Sequence, residues 1–336
     1  MTTVLYIGNQ LLARGGSPTS IDILAPLLQR EGLIVKTVSS RKNKLLRLME
    51  MLHLVRRNAG TADYVLIDVY STTNFWYAYA VALLCQQQQL KYIPILHGGN
   101  LPARLKKSTK ACNRIFRKAY LIVSPSLYLK EIFEKEGYTN IKYIPNSITL
   151  EQYEFKRRKT IRPRLLWVRA FAQIYNPMLA LNVLDLVLKK YPEAELCMVG
   201  PDKDGTSETC RHYAERKNLP VKFTGKLSKN EWISLAADYD IFLNTTDVDN
   251  TPVSVIEAMA LGLPVVSTNV GGIPYLIDQN KEGLLVPPNN SEEMAAAVFE
   301  LIEKPEKAEE MSRAARKKVE AFDWELVKKK WKDILI

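Results

Sequence analysis

The feature that most constrains this chain is a regular alternation of short apolar runs with longer segments of helical periodicity. Strand-like runs are predicted at 3–7, 34–38, 64–68, 92–96, 121–123 and 141–144, with helical segments between them. A charged stretch, 151–164, then reads as a linker. A second series follows at 164–168, 195–199, 221–223, 240–243, 265–267 and 283–286, separated by helices near 177–190, 208–217, 229–237, 252–261 and 291–303. Alternation of this kind builds a parallel sheet covered by helices on both faces. The expectation is an α/β chain of two doubly wound, Rossmann-like domains, 1–158 and 159–321, with a terminal amphipathic helix at 322–336 packing back on the first. Sheets of this type hold ligands outside the carboxyl ends of their strands, so two such edges would face a cleft.

Composition narrows the class. At 336 residues, 47% apolar and 25% charged, the chain is long enough for two globular domains. Met1 leads straight into a strand-like run, so no signal peptide is expected, and the longest apolar run, near 75–85, is too short to span a bilayer. The four cysteines, Cys85, Cys112, Cys197 and Cys210, show no zinc spacing and read as reduced structural thiols of a cytoplasmic protein. Residues 1–160 carry 24 Lys+Arg against 10 Asp+Glu, a balance of +14, while the chain as a whole carries +11. A basic first half would attract an anionic lipid surface or a phosphorylated substrate, although solvated helix faces give the same pattern. One basic segment, 42–58, is also amphipathic, with Leu45, Leu46, Leu48, Met49, Leu52 and Val55, and could lie on a membrane or pack on the sheet. Nucleic acid is not an expected partner, because the basic clusters lack interleaved aromatics and the second half is acidic.

Chemistry concentrates at three places. The run into Asn250, Thr251, Pro252 and Val253 reads as strand, loop and helix, with Asp249 before the helix and Glu257 eight residues on, inside it. The amides of 251–254 and the positive helix end would favour an anion such as a diphosphate; a buried crossover helix with a chance carboxylate has the same local pattern. In the first half, the opening strand ends in a loop with Gly8, Arg14, Gly15 and Gly16, and Ser17 can cap a helix that Pro18 begins. Its spacing is not the dinucleotide fingerprint, which argues against an NAD-dependent reductase. His97, followed by Gly98 and Gly99, stands where the fourth strand delivers a residue to the carboxyl edge.

Taken together, these motifs resemble the GT-B glycosyltransferases and, within them, glycosyltransferase family 4. The most specific piece is Asp249 to Glu257, similar to that family's motif of two acids eight residues apart, followed by Gly271 and Gly272. Arg169 after the seventh strand, Gly200 after the eighth, the stretch 223–227 and His97 support it. The resemblance implies a retaining, metal-independent transfer of a sugar from a nucleotide-diphosphate donor to a hydroxyl of a glycan or lipid-linked acceptor, in polysaccharide or glycoconjugate synthesis. It implies no cofactor, the donor being a co-substrate. It further implies that Glu257 holds the ribose hydroxyls, that Asp249 contacts the transferred sugar, and that Arg169 with the amides of Asn250 to Val253 holds the diphosphate. Gly225, Lys226 and Leu227 would line the base beside Gly200. Gly15 and Gly16 would close over the phosphates, and His97 would touch the sugar near its reacting carbon. The chain departs from the pattern in having Asp249 for a glutamate and no lysine five residues after Arg169. Arg14, Lys203 or Lys226 are candidate replacements. A silent sugar-nucleotide or glycan-binding subunit, and a sugar-nucleotide epimerase on the same fold, stand as alternatives. The expected location is cytoplasmic, peripheral to the inner membrane face.

Overall fold

A computed structural model describes residues 1–10, 18–38, 41 and 43–336. The chain divides into two compact units, Met1–Pro145 with Glu325–Ile336, and Asn146–Trp324. The first is built on β1 (Thr3–Ile7), β2 (Ile34–Val38), β3 (Tyr64–Val69), β4 (Tyr92–Leu96), β5 (Ile122–Ser124) and β6 (Ile141–Tyr143), in the order β2-β1-β3-β4-β5-β6. The second is built on β7 (Arg164–Val168), β8 (Glu195–Val199), β9 (Val221–Gly225), β10 (Ile241–Asn244), β11 (Val265–Thr268) and β12 (Leu284–Val286), in the order β12-β11-β10-β7-β8-β9. Neighbouring strands run parallel. Strand ends differ from the predicted ones by at most two residues.

The second sheet shows why apolar runs become strands. Leu165, Trp167, Leu196, Met198, Ile241 and Leu243 pack into one core, against the helices Pro177–Leu188 and Ser291–Glu303. Leu166, Cys197, Val199 and Phe242, the residues between them, pack into a second core on the other face, against Lys229–Ala236 and Val253–Ala260. Side chains alternate across a strand, so a central strand covered on both faces must be apolar throughout. Two reversals of strand order follow from the topology. In the first unit the order turns between β1 and β3, and in the second between β7 and β10; crevices form at the carboxyl edge of such points.

Three local expectations are corrected. The stretch 151–164 is not a free linker, and the division between units falls at Pro145 rather than at 158. Ile148 exchanges backbone hydrogen bonds with Phe322 and Trp324, and the buried Arg158 donates to the carbonyls of Ala236, Tyr239, Leu261 and Gly262. A guanidinium there satisfies the orphan carbonyls at the ends of two helices, although burial pulls its pKa down to about 10. The first helix starts at Ser20 rather than Pro18, with Thr19 as its cap and the Asp22 carboxylate accepting from the Thr19 amide at 3.0 Å. Near the C-terminus a helix spans Pro305–Val319 ahead of the terminal one.

The last helix, Trp324–Leu335, groups with the first unit from Glu325 on. Lys328 and Lys332 pair with Glu31 at 3.4 and 2.6 Å, and the hydrogen bond from Lys332 lowers the Glu31 pKa. The cysteines are free and buried, and burial pushes the Cys85 and Cys210 thiols up to about 12. Among the described residues, no helix is long and apolar enough to cross a membrane.

Candidate functional site

The strongest cluster lies in the second unit, where β7 and β10 end side by side. Arg169 follows β7, its amide donating to the Val199 carbonyl at 3.0 Å. Its guanidinium lies over the Tyr175 ring, 4.4 Å from the centroid, and pairs with Asp249. The loop after β7 is fastened to the loop after β10. Thr245 accepts from the Trp167 indole at 2.9 Å and donates to the Tyr175 carbonyl at 2.8 Å, and the Asp247 amide donates to the Ile174 carbonyl at 2.9 Å. Tyr175 is therefore a placed shelf for the arginine, not a loop residue in contact by chance. Burial lowers the Arg169 pKa, with Tyr175 and Glu257 acting in the opposite direction.

Asp249 accepts from its neighbouring Asn250 amide at 2.9 Å as well as from Arg169. Behind it, the Gly272 amide donates to the Asp249 carbonyl at 3.1 Å. A Cβ at Gly272 would lie 1.7 Å from the Asn250 carbonyl oxygen, so the turn after β11 fits this loop only as glycine. The helix Val253–Ala260 starts immediately afterwards, with Pro252 at its cap.

The expected anion contacts must be redrawn here. Pro252 has no amide hydrogen, and the Asn250 amide serves Asp249. The first-turn amides of Val253 and Ser254 have no intrahelical acceptor. Ser254 is buried, and its hydroxyl oxygen has no hydrogen-bond partner; the buried Nε of Arg169 has none either. A buried polar atom left unpaired costs about 1–3 kcal/mol. Among the described residues only one other side chain carries such an atom, Asp68 in the first unit.

Glu257 sits one turn further along the same helix and is buried. Its Oε1 accepts from the Tyr153 hydroxyl at 2.8 Å and pairs with Lys229. Burial, then the Glu257 charge, raises the Tyr153 pKa far above its ordinary value. Lys229 opens the helix Lys229–Ala236, which is held by a capping box of Ser228 and Glu231. Gly200, at the end of β8, has φ +153° and donates its amide to the Gly225 carbonyl at 2.8 Å. Gly225 ends β9, and Lys226 and Leu227 follow on the loop toward the Ser228 cap, Lys226 exposed and Leu227 partly buried. Lys203 is exposed on the loop after β8. Gly15, Gly16 and Arg14 lie outside the described residues.

A second cluster occupies the carboxyl edge of the first unit. His97 Nε2 lies 2.8 Å from Asp68 Oδ1, and Nδ1 lies 3.2 Å from the Ser20 hydroxyl. Against a carboxylate Nε2 is the donor, so the neutral ring presents Nδ1 to accept from Ser20. Tyr70 stacks on the ring at 5.4 Å, and the Tyr6 hydroxyl donates to the same Asp68 oxygen at 2.9 Å. Both ring nitrogens of His97 are thus engaged within its own unit. The other carboxylate oxygen, Asp68 Oδ2, is buried without a partner. A Cβ at Gly8 would lie 2.5 Å from it. Asp68 also lines a small pocket, of about 10 Å³, with Gly8, Asn9, Tyr70, Asn74 and Tyr77.

Sequence reasoning missed Tyr153, Tyr175, Lys229 and the Ser254 hydroxyl, and Ser20, Asp68, Tyr6 and Tyr70. Asp68 had a usable signal, since it is a carboxylate near the end of an otherwise apolar strand, the argument that singled out His97. Tyr153 and Lys229 had none, because their distance from Glu257 is set only by packing.

Comparison with known proteins supplies the context for this geometry. Residues 151–318 match the model of a family described as glycosyl transferases group 1. Sulfoquinovosyl transferase SQD2 of Arabidopsis thaliana is 31% identical over 150 residues, covering 43% of this chain and 28% of that protein. The chain spans less than half the length of the first curated relatives it matches. Sucrose-phosphate synthase from Thermosynechococcus elongatus superposes with a TM-score of 0.83 at 15% identity, over 99% of this chain and 98% of that one. Anabaena Alr3699/HepE in complex with UDP-glucose gives 0.80 at 18% identity, over 100% and 99%. At these identities the likeness carries the fold, two doubly wound parallel-sheet units of the GT-B type.

Proposed function

The chain belongs to the glycosyl transferases group 1 family, and from that premise we propose that it is a retaining glycosyltransferase of family 4. It takes a sugar from a nucleotide-diphosphate donor and passes it to a hydroxyl of a glycan or lipid-linked acceptor in polysaccharide or glycoconjugate synthesis. The observation that carries this reading is that Arg169, ion-paired to Asp249 just before the helix Val253–Ala260, and Ser254 in that helix's first turn each hold a buried polar atom without a partner, where the strand order reverses. A cation, a hydroxyl and first-turn amides converging there suit a diphosphate. Glu257 Oε2, which no protein group engages among the described residues, is available to ribose hydroxyls, while Tyr153 fixes the carboxylate through Oε1. UDP is the first nucleotide to test, since Alr3699/HepE is seen with it.

Retention of configuration fits the charges. Both site acids are ion-paired, Asp249 with Arg169 and Glu257 with Lys229, which leaves neither as a ready nucleophile. In same-face attack the bond from the anomeric carbon to the phosphate oxygen breaks as the acceptor oxygen bonds to that carbon, and the acceptor proton passes to the leaving phosphate. Arg169 and the helix end stabilise the charge that develops there, so the step needs no metal or cofactor. His97, held by Asp68 and Ser20, is assigned the contact with the transferred sugar near its reacting carbon.

The test is thermal unfolding of the whole chain with UDP, GDP and ADP. A ligand at a hundred times its Kd adds about 2.7 kcal/mol, so the matching diphosphate raises the midpoint by several degrees, and Glu257→Ala abolishes the shift. The reading is lost if none of the diphosphates stabilises the wild-type chain. Stabilisation without donor turnover across an acceptor panel favours the silent-subunit alternative, which the pairing of Arg169 with Asp249 keeps open.

The proposal extends to an anionic membrane surface, with the chain peripheral on the cytoplasmic side. The helix Lys44–Arg57 buries Met51 and Val55 but leaves Leu45, Leu46 and Met49 at 73%, 50% and 64% exposure, with exposed Lys44, Arg56 and Arg57 on the same helix. Apolar side chains flanked by cations suit the headgroup region of anionic lipid. We expect co-sedimentation with anionic vesicles at low salt, weakened by Leu45→Ser with Met49→Ser and by raised salt. Absence of binding at low salt removes the membrane and leaves the basic surface to the acceptor.

A further inference from the structure

We propose that Lys229 is the second cation of the diphosphate site, occupying one position when the site is empty and another when nucleotide is bound; this rests on the nucleotide-sugar reading above. The loop after β7, from Ala170 to Asn176, contains no cation, and Arg169 is already paired with Asp249. A nucleoside diphosphate brings several negative charges to a cluster in which two acids and two bases balance. Lys229 is the base there whose side chain has room to move. It is 43% exposed, against 19% for Arg169. Its contacts are the Glu257 carboxylate and, more distantly, the Trp232 ring at 5.9 Å.

The helix sets the distance to be covered. Glu257 lies four residues after Val253, so the two share one helix face about 6 Å apart along the axis. An ammonium resting on Glu257 therefore stands one turn from the first-turn amides, within the swing of a four-carbon stem. Tyr153 donates to the same Glu257 oxygen and keeps the carboxylate in place when the lysine leaves. Ribose hydroxyls donating to Glu257 Oε2 draw on the same carboxylate charge, so its hold on Lys229 at Oε1 weakens and the ammonium is offered to the diphosphate. The nucleoside half of the ligand thus frees the cation that its phosphate half uses.

Lys229→Met keeps the apolar stem over Trp232 and removes the charge; Lys229→Arg retains the charge. Affinities of wild type and both variants are measured by calorimetry for UDP, GDP and ADP and for the matching nucleosides, with unfolding midpoints as a check on folding. The expected result is a loss of about tenfold or more in diphosphate affinity for Lys229→Met, a charge-assisted phosphate contact, with nucleoside affinity unchanged or higher. Lys229→Arg keeps most of the diphosphate affinity. The inference is overturned if Lys229→Met binds the diphosphate as tightly as wild type, or if both ligands weaken equally, which would make Lys229 a support for Glu257. A wild-type chain that binds none of the diphosphates overturns the nucleotide-sugar reading itself, and this inference with it.

Discussion

Replacing Arg169 by alanine is expected to lower turnover of the matched donor by about a hundred- to a thousand-fold, the usual consequence of deleting one preorganised group that meets developing transition-state charge. The effect should fall mainly on kcat, because the leaving diphosphate gains charge as the glycosidic bond breaks. Two features make the position unforgiving. The guanidinium is sandwiched between the Tyr175 ring and the Asp249 carboxylate, and its Nε is already out of water. Its removal also leaves Asp249 unpaired next to the donor phosphates, a repulsive arrangement. Arg169→Lys should recover little, since an ammonium has neither the planar face for Tyr175 nor the fork for two acceptors. Steady-state transfer rates alongside unfolding midpoints decide the matter. A loss of less than tenfold, in a variant that folds like wild type, removes Arg169 from the chemistry.

Gly200→Ala is expected to destabilise the second unit by on the order of 3 kcal/mol and to abolish nucleotide binding. Its φ of +153° is one that L side chains rarely adopt, and a Cβ there would lie 1.7 Å from the Arg169 carbonyl oxygen. That oxygen belongs to backbone, and Gly200 is tied on its other side to the Gly225 carbonyl, so neither neighbour can yield cheaply. Gly205→Ala provides the contrast. Gly205 also has positive φ, +85°, but nothing lies within 4 Å of its added Cβ. It should cost only the backbone strain, about 1 kcal/mol. Unfolding midpoints of the two variants separate steric clash from strain; equal losses would show that the Arg169 carbonyl moves aside easily.

Much of the architecture could be read from the residues because its causes are local. A parallel strand covered on both faces must be apolar at every position, so β7, with Leu165, Leu166 and Trp167 in succession, announces itself without an alignment. The break between the two series was equally visible, yet 151–164 was misread. A run of charges has the composition of a solvated linker, whereas Arg158 is buried because the carbonyls of two helix ends, unreachable by any sequence pattern, converge on it. Likewise Ser17 and Thr19 are both chemically competent caps, and the start at Ser20 depends on Asp22 reaching back to the Thr19 amide.

The candidate site divides in the same way. Asp249, Glu257 and Arg169 were identifiable because each stands at a fixed offset from a strand end or a helix start. His97 was found by the same rule, but its ring is held between Asp68 and Ser20, residues 29 and 77 positions away in the chain. Its expected contact with the donor sugar remains a proposal.

By itself, then, the sequence determined the two doubly wound units, the strand that carries each candidate residue and the helix end that suits a diphosphate, since periodicity and chain offset encode them directly. Only the tertiary structure decided that Asp249 and Arg169 neutralise each other, that Tyr153 and Lys229 share one oxygen of Glu257, and that the Asn250 amide serves Asp249. The first two of those pairings join residues far apart in the chain, and the packing that sets their distances to within an ångström leaves no trace in local periodicity.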